Sequence, residues 1–237
     1  MPATANPAAV LRRRCADMAT ALRVAADPAR AAGMQAYMKS AMPFAGAPAP
    51  AMRRTSHALF KQWWPLDETQ WRNTILALWQ TAAFREQRYA AIELLSWGRA
   101  KAHRQASALP LVEQLVVEGA WWDYIDAMAP VVGDILRASP STVTTLRRWS
   151  RHENVWLRRI AILCQLDFKH DTNVPLLFEL MAPSLDSREF FLRKAIGWAL
   201  RQLARTQPDV VLRYVREHES QLSPLSRREA LKHLAGR

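Results

Sequence analysis

Apolar residues recur along this chain at intervals of three and four, and short breaks containing Pro, Ser, Asp or Asn separate one such stretch from the next. That period is the helical one, in which positions i, i+3, i+4 and i+7 share a face. It predicts helices over about 8–25, 28–41, 50–64, 67–82, 84–99, 107–118, 121–137, 140–151, 154–167, 172–182, 187–205, 208–219 and 224–235. Several starts carry side chains suited to the unpaired N–H groups of a first turn: Asp67-Glu68, Ser139-Pro140, Ser187-Arg188-Glu189, Gln207-Pro208-Asp209 and Ser223-Pro224. No segment alternates as a strand would. The fold class is all-α.

The helices repeat. Trp121, Trp156 and Phe191 open equivalent helices and stand 35 residues apart each time. Arg88, Arg158 and Arg193 form a second column, interrupted by Asp123, and Ala91, Ala161 and Ile196 form a third, interrupted by Asp126. A two-helix period of this length marks a solenoid of HEAT-like or tetratricopeptide type, and the tetratricopeptide consensus residues are absent. The expected architecture is a right-handed solenoid of HEAT-like repeats with a concave basic face. No linker divides the chain, so residues 1–237 are expected to form one domain.

Composition agrees with helix: half of the residues are hydrophobic and only 7 are Gly. Charge adds a partner class. The formal net charge is +12, from 33 basic and 21 acidic residues, which attracts polyanions, although a merely soluble basic surface would give the same total. Residues 1–64 carry nine basic and two acidic groups, residues 65–136 six and nine, and residues 137–237 eighteen and ten. Two cysteines, Cys15 and Cys164, are too few for a disulfide framework and fit a reducing compartment. No apolar run is long enough for a membrane span, and the N-terminal stretch lacks a signal-type apolar segment. No membrane partner is expected.

Phosphate-binding glycine loops, Cys-x-x-Cys pairs, His-Glu-x-x-His and Gly-x-Ser-x-Gly are all missing, and six scattered histidines lack ligand spacing, so neither metal nor cofactor is expected. What stands out is a set of aromatic and charged residues inside the repeat helices. Trp122 and Asp126 are four apart and share a helical face; Arg159 begins an apolar stretch; Trp198 follows Gly197, whose missing side chain permits a close approach. Their separations are near one repeat each, which could bring them to a common cleft. The bland alternative is core tryptophan, the expected role of Trp71, Trp79, Trp97 and Trp149, and an aspartate that merely pairs with Arg159.

At these residues the chain resembles a known family. The elements Trp-Trp-Asp-Tyr-Ile-Asp (121–126), Trp-Leu-Arg-Arg-Ile-Ala-Ile (156–162) and Arg-Lys-Ala-Ile-Gly-Trp-Ala-Leu-Arg (193–201) resemble, in order, those of the AlkD-type DNA alkylation repair family, HEAT-like-repeat DNA glycosylases of bacteria. Similarity extends to Tyr37-Met38-Lys39, Pro43-Phe44-Ala45-Gly46, Pro208-Asp209-Val210-Val211 and Leu225-Ser226-Arg227-Arg228-Glu229-Ala230. The resemblance implies excision of cationic N3-alkyladenine and N7-alkylguanine from double-stranded DNA, by a monomer in the bacterial cytoplasm at the nucleoid. It also implies that Trp122, Asp126 and Trp198 are active-site residues and Arg159 a cleft arginine.

Chemistry gives those residues work. Alkylation makes the base a cationic leaving group, and the sugar becomes oxocarbenium-like as it departs. A fixed carboxylate, Asp126, would stabilise that charge and orient water. Trp122 and Trp198 would hold the cation against their faces. Arg159 is expected to grip a phosphate, with Arg147, Arg148, Arg158, Arg193 and Lys194 as a surrounding clamp. Two alternatives remain open: a non-catalytic binder of branched or damaged DNA, and a protein-interaction scaffold, the commonest use of such solenoids.

Overall fold

A computed structural model describes residues 6–234, and among them every regular element is helical. The chain falls into two compact units, Met1–His103 and Arg104–Arg237. The first holds α1 (Pro7–Val24), α2 (Pro28–Met38), α3 (Ala49–Trp63), α4 (Glu68–Gln80) and α5 (Arg85–Ser96). The second holds α6 (Leu109–Gly119), α7 (Trp122–Ala138), α8 (Val143–Ser150), α9 (Val155–Leu163), α10 (Val174–Met181), α11 (Phe190–Ala204), α12 (Pro208–Glu217) and α13 (Pro224–Leu231). These are the thirteen segments that periodicity predicts; the predicted end at residue 235 lies outside the described residues. No described helix is long and apolar enough to cross a membrane.

Local chemistry sets the boundaries. Asp67 accepts from the Gln70 N–H while Gln70 returns the bond to Asp67, a reciprocal cap on α4. Asn154 accepts from Trp156 and Leu157 at the start of α9, and Ser223 accepts from Ser226 at the start of α13. Periodicity overruns some C-terminal ends. Lys39 turns left-handed at φ 48° after α2, and tight 3-10 turns at Gly98–His103 and Lys169–Asp171 take over stretches assigned to helix or left as loop.

In the first unit, α1, α3, α4 and α5 pack around Met18, Leu22, Phe60, Trp71, Ile75 and Trp79, all fully or almost fully buried. The loop from α2 to α3 is pinned from below by Glu86 of α5. Its fully buried carboxylate accepts from the N–H groups of Ala45, Gly46 and Ala47 at 2.8–3.0 Å. Gly46 adopts φ 99° there, and a β-carbon on it would sit 2.0 Å from the Asp27 carbonyl oxygen.

In the second unit, helices pair at roughly 34-residue intervals, and the second helix of each pair packs on its successor: α7 on α9, α9 on α11, α11 on α13. The column Trp121, Trp156 and Phe191 becomes one aromatic cluster, with ring centroids 6.0, 5.6 and 4.9 Å apart. Two glycines let backbones meet. A β-carbon on Gly133 of α7 would lie 2.3 Å from the Cys164 carbonyl oxygen, and one on Gly197 of α11 would lie 2.6 Å from the Glu229 β-carbon. Trp71, Trp79, Trp97 and Trp149 are core, as their spacing suggests.

Candidate active site: an inter-repeat carboxylate

Asp126 occupies the repeat position at which other repeats place an apolar residue, one turn into α7. The equivalent stretch of α9 is apolar except for Arg158 and Arg159, and neighbouring helices bring Arg159 and Asp126 face to face. The guanidinium grips the carboxylate with both arms: Arg159 Nε donates to Oδ1 and Nη2 to Oδ2, each at 2.8 Å. Arg159 Nη1 donates to the backbone carbonyl of Phe191 at the start of α11. One arginine thus joins three successive repeat helices.

Burial is unequal between the partners. The Arg159 side chain is 3% exposed, the Asp126 side chain 16%. Desolvation pushes the Asp126 carboxyl above the ordinary aspartate range and nearby Asp123 adds to this, while the Arg159 hydrogen bonds and charge oppose it. The result is a fixed, largely desolvated carboxylate on a side chain that keeps some exposure to solvent. Such a group favours an adjacent positive charge.

The geometry gives Arg159 protein partners where a phosphate is expected: all three guanidinium nitrogens are engaged on Asp126 and the Phe191 carbonyl, and the side chain is 3% exposed. Trp122 opens α7 one turn before Asp126 on the same face, and Trp198 lies two turns after Phe191 on α11; both are half-buried, and neither ring stacks on another. The structure therefore joins Asp126 to Arg159 directly.

The residues of the expected phosphate clamp also bond within the fold. Arg158 donates to Ser184 Oγ at 3.1 Å and to the Pro183 carbonyl at 2.8 Å, and Arg193 donates to the Ser187 carbonyl at 2.7 Å. Arg158 and Arg193 belong to the periodic arginine column, and each ties a helix to a nearby turn. Lys194 and Arg201 share Glu229, each at 2.6 Å, linking α11 to α13. Arg147 and Arg148 lie on α8, which carries none of the candidate active-site residues. They pair with Glu179 of α10 and Glu113 of α6, both exposed pairs that open at little cost.

Pro130 is a feature that periodicity alone overlooks. It lies inside α7, exposed, and continues the stripe Trp122–Asp126–Pro130 at four-residue steps. Proline has no N–H, so the backbone carbonyl of Asp126 lacks its i+4 donor. A proline four residues after a candidate acid was the signal. Among the described residues no three His, Cys, Asp or Glu side chains gather as a metal site.

The model of the DNA alkylation repair enzyme family matches residues 18–234. The chain belongs to that family. Among solved structures, a predicted DNA alkylation repair enzyme from Enterococcus faecalis is 34% identical, with a TM-score of 0.79, over 90% of this chain and 98% of that one. Among curated proteins none matches. Family membership fits a role in alkylation repair and the all-helical repeat architecture.

Proposed function

We propose that this protein is a monofunctional DNA glycosylase that hydrolyses the N-glycosidic bond of alkylated, positively charged purines in double-stranded DNA. The observation that carries the reading is the Asp126–Arg159 pair, a carboxylate largely desolvated, fixed by two parallel hydrogen bonds and still partly exposed. In the reaction the bond from C1′ to the ring nitrogen breaks and its electron pair neutralises the cationic base, which leaves. Positive charge passes to the sugar, and water adds at C1′, losing a proton and leaving an abasic site. The base needs no general acid because it departs neutral. Asp126 faces the electron-poor sugar and accepts a hydrogen bond from the incoming water. Arg159 is a positioning residue: it sets the carboxylate's orientation, and its hydrogen bonds and charge oppose the rise that burial gives the Asp126 pKa. Trp122 and Trp198 offer faces that hold the cation, each contributing about 0.5–2 kcal/mol according to desolvation.

The test is release of free N7-methylguanine from duplex DNA. Wild type releases the base. Asp126→Asn, nearly the same shape, lowers the single-turnover rate by roughly 10²–10³-fold with duplex affinity unchanged. Arg159→Lys lowers the rate without raising the Kd, the outcome that separates positioning from phosphate binding. Equal release by Asp126→Asn and wild type removes the mechanism. Duplex binding with no release by wild type favours a non-catalytic binder of damaged DNA.

A further inference from the structure

Arg14, on α1 in the first unit, is a half-buried cation without an anionic neighbour. Its Nη1 donates to Thr74 Oγ1 of α4 at 2.9 Å, and its guanidinium carbon stands 5.7 Å from the centre of the Trp63 ring. The Thr74 hydroxyl in turn donates to the Gln70 carbonyl at 2.7 Å, which turns its lone pair toward the arginine. Thus neutral groups hold the guanidinium in place. Among the described residues no carboxylate comes within ion-pair distance, whereas Arg104, Arg159 and Arg201 meet Asp134, Asp126 and Glu229. The adjacent Arg13 takes the nearby acid, Asp17, at 3.8 Å. Burial lowers the Arg14 pKa below the ordinary arginine value, the mark of a charge that has lost water and gained nothing ionic in exchange.

Arg14 borders a cavity of about 130 Å³ between α1 and α4, lined also by Pro7, Val10, Leu11, Gln70 and Asn73. That space has room for several water molecules. Its polar wall is rich in donors: Gln70 Oε1 is occupied by the Asp67 N–H, so the amide nitrogen of Gln70 is the end left over, and Asn73 adds a second amide. No acid lines it. Donors from both α1 and α4 suit an oxyanion such as phosphate.

We propose that this cavity binds a phosphate group. Resting on the reading above, and on nine basic against two acidic residues over 1–64, its source is the backbone or a terminus of the DNA; free phosphate presents the same chemistry. The test titrates inorganic phosphate into the full-length protein, following by NMR the Arg14 side-chain N–H in wild type and the Asn73 side-chain amide in wild type and variants alike, and measures duplex affinity across a salt series. Arg14→Gln and Arg14→Lys are compared after thermal melts confirm folding. Phosphate shifts the Arg14 signal in wild type, and Arg14→Gln abolishes phosphate binding. Duplex affinity of Arg14→Gln falls on the order of tenfold, and the slope of log K against log salt shrinks by about 0.9. If Arg14→Gln fails to fold, Arg14→Lys, which keeps charge but not the fork, weakens both readouts. Phosphate binding with an unchanged duplex slope assigns the cavity to free phosphate. Equal phosphate binding by the folded variant, or no phosphate response in wild type with an unchanged duplex slope, overturns the proposal. Absence of base release by wild type would instead overturn the glycosylase reading and leave the phosphate titration standing.

Discussion

Replacing Gly133 with alanine should destabilise the second unit and slow base release. The new β-carbon would stand 2.3 Å from the Cys164 carbonyl oxygen and 2.9 Å from a Phe168 ring carbon. The first obstacle is backbone, and it cannot rotate away. Bringing that contact out to 3.0 Å, the limit that real β-carbons respect, opens the α7–α9 crossing by at least 0.7 Å. Overpacking of this kind costs about 1–3 kcal/mol, and rigid backbone places it at the upper end. Against this, Gly→Ala inside a helix returns about 1 kcal/mol. A net loss of about 2 kcal/mol lowers Tm by roughly 4–8 °C in a chain of this size. Asp126 lies two turns from Gly133 on the same helix, and Arg159 lies on α9. A 0.7 Å separation carried to them stretches the 2.8 Å bonds to about 3.5 Å, past useful hydrogen-bond length. Urea denaturation and single-turnover base release at 25 °C, where the variant is still folded, measure both effects. A variant as stable as wild type would refute the claim that this glycine sets the crossing.

Two further outcomes follow from buried carboxylates. Glu86→Ala leaves the N–H groups of Ala45, Gly46 and Ala47 without their acceptor, and at about 1–3 kcal/mol per unsatisfied group the loss should reach roughly 3–5 kcal/mol in urea unfolding. A loss below about 1 kcal/mol would show that water replaces the carboxylate freely. Because burial raises the Asp126 pKa, enzyme-dependent base release should be full above that raised value and fall away as pH drops through it, at a pH above the ordinary aspartate value of about 3.9. The same shift favours the protonated form in the folded state, so it strengthens rather than weakens the fold as pH falls through that range, and the lost rate is not unfolding at this site. A rate that stays level down to pH 4 refutes the assignment.

The helices were legible because each hides an apolar stripe, and the repeat because three aromatic residues return at a fixed interval. The interruption of an apolar column by Asp126, and the arginine opening an apolar stretch at 159, marked the residues that meet. Their pairing was not readable, since a sequence gives the face a residue occupies and not whether a partner across the groove is protein or phosphate. For the same reason Arg158, Arg193 and Lys194 look like free cations in the sequence, yet their partners are carbonyls and Glu229 lying 25 to 35 residues away or in a turn of no regular pattern. Arg14 stands in a run of three arginines, and only packing sets it apart from the other two.

Pro130 removes one rung from α7 immediately beyond the acid-bearing turn, while Gly133 fastens the rest of that helix against α9. The carboxylate is therefore steered less by its own helix than by the guanidinium reaching across from the following one. Its alignment is inherited from a neighbour in the array, and a lineage that inserted or deleted a residue between 126 and 159 would lose the aim of this group while keeping every helix intact.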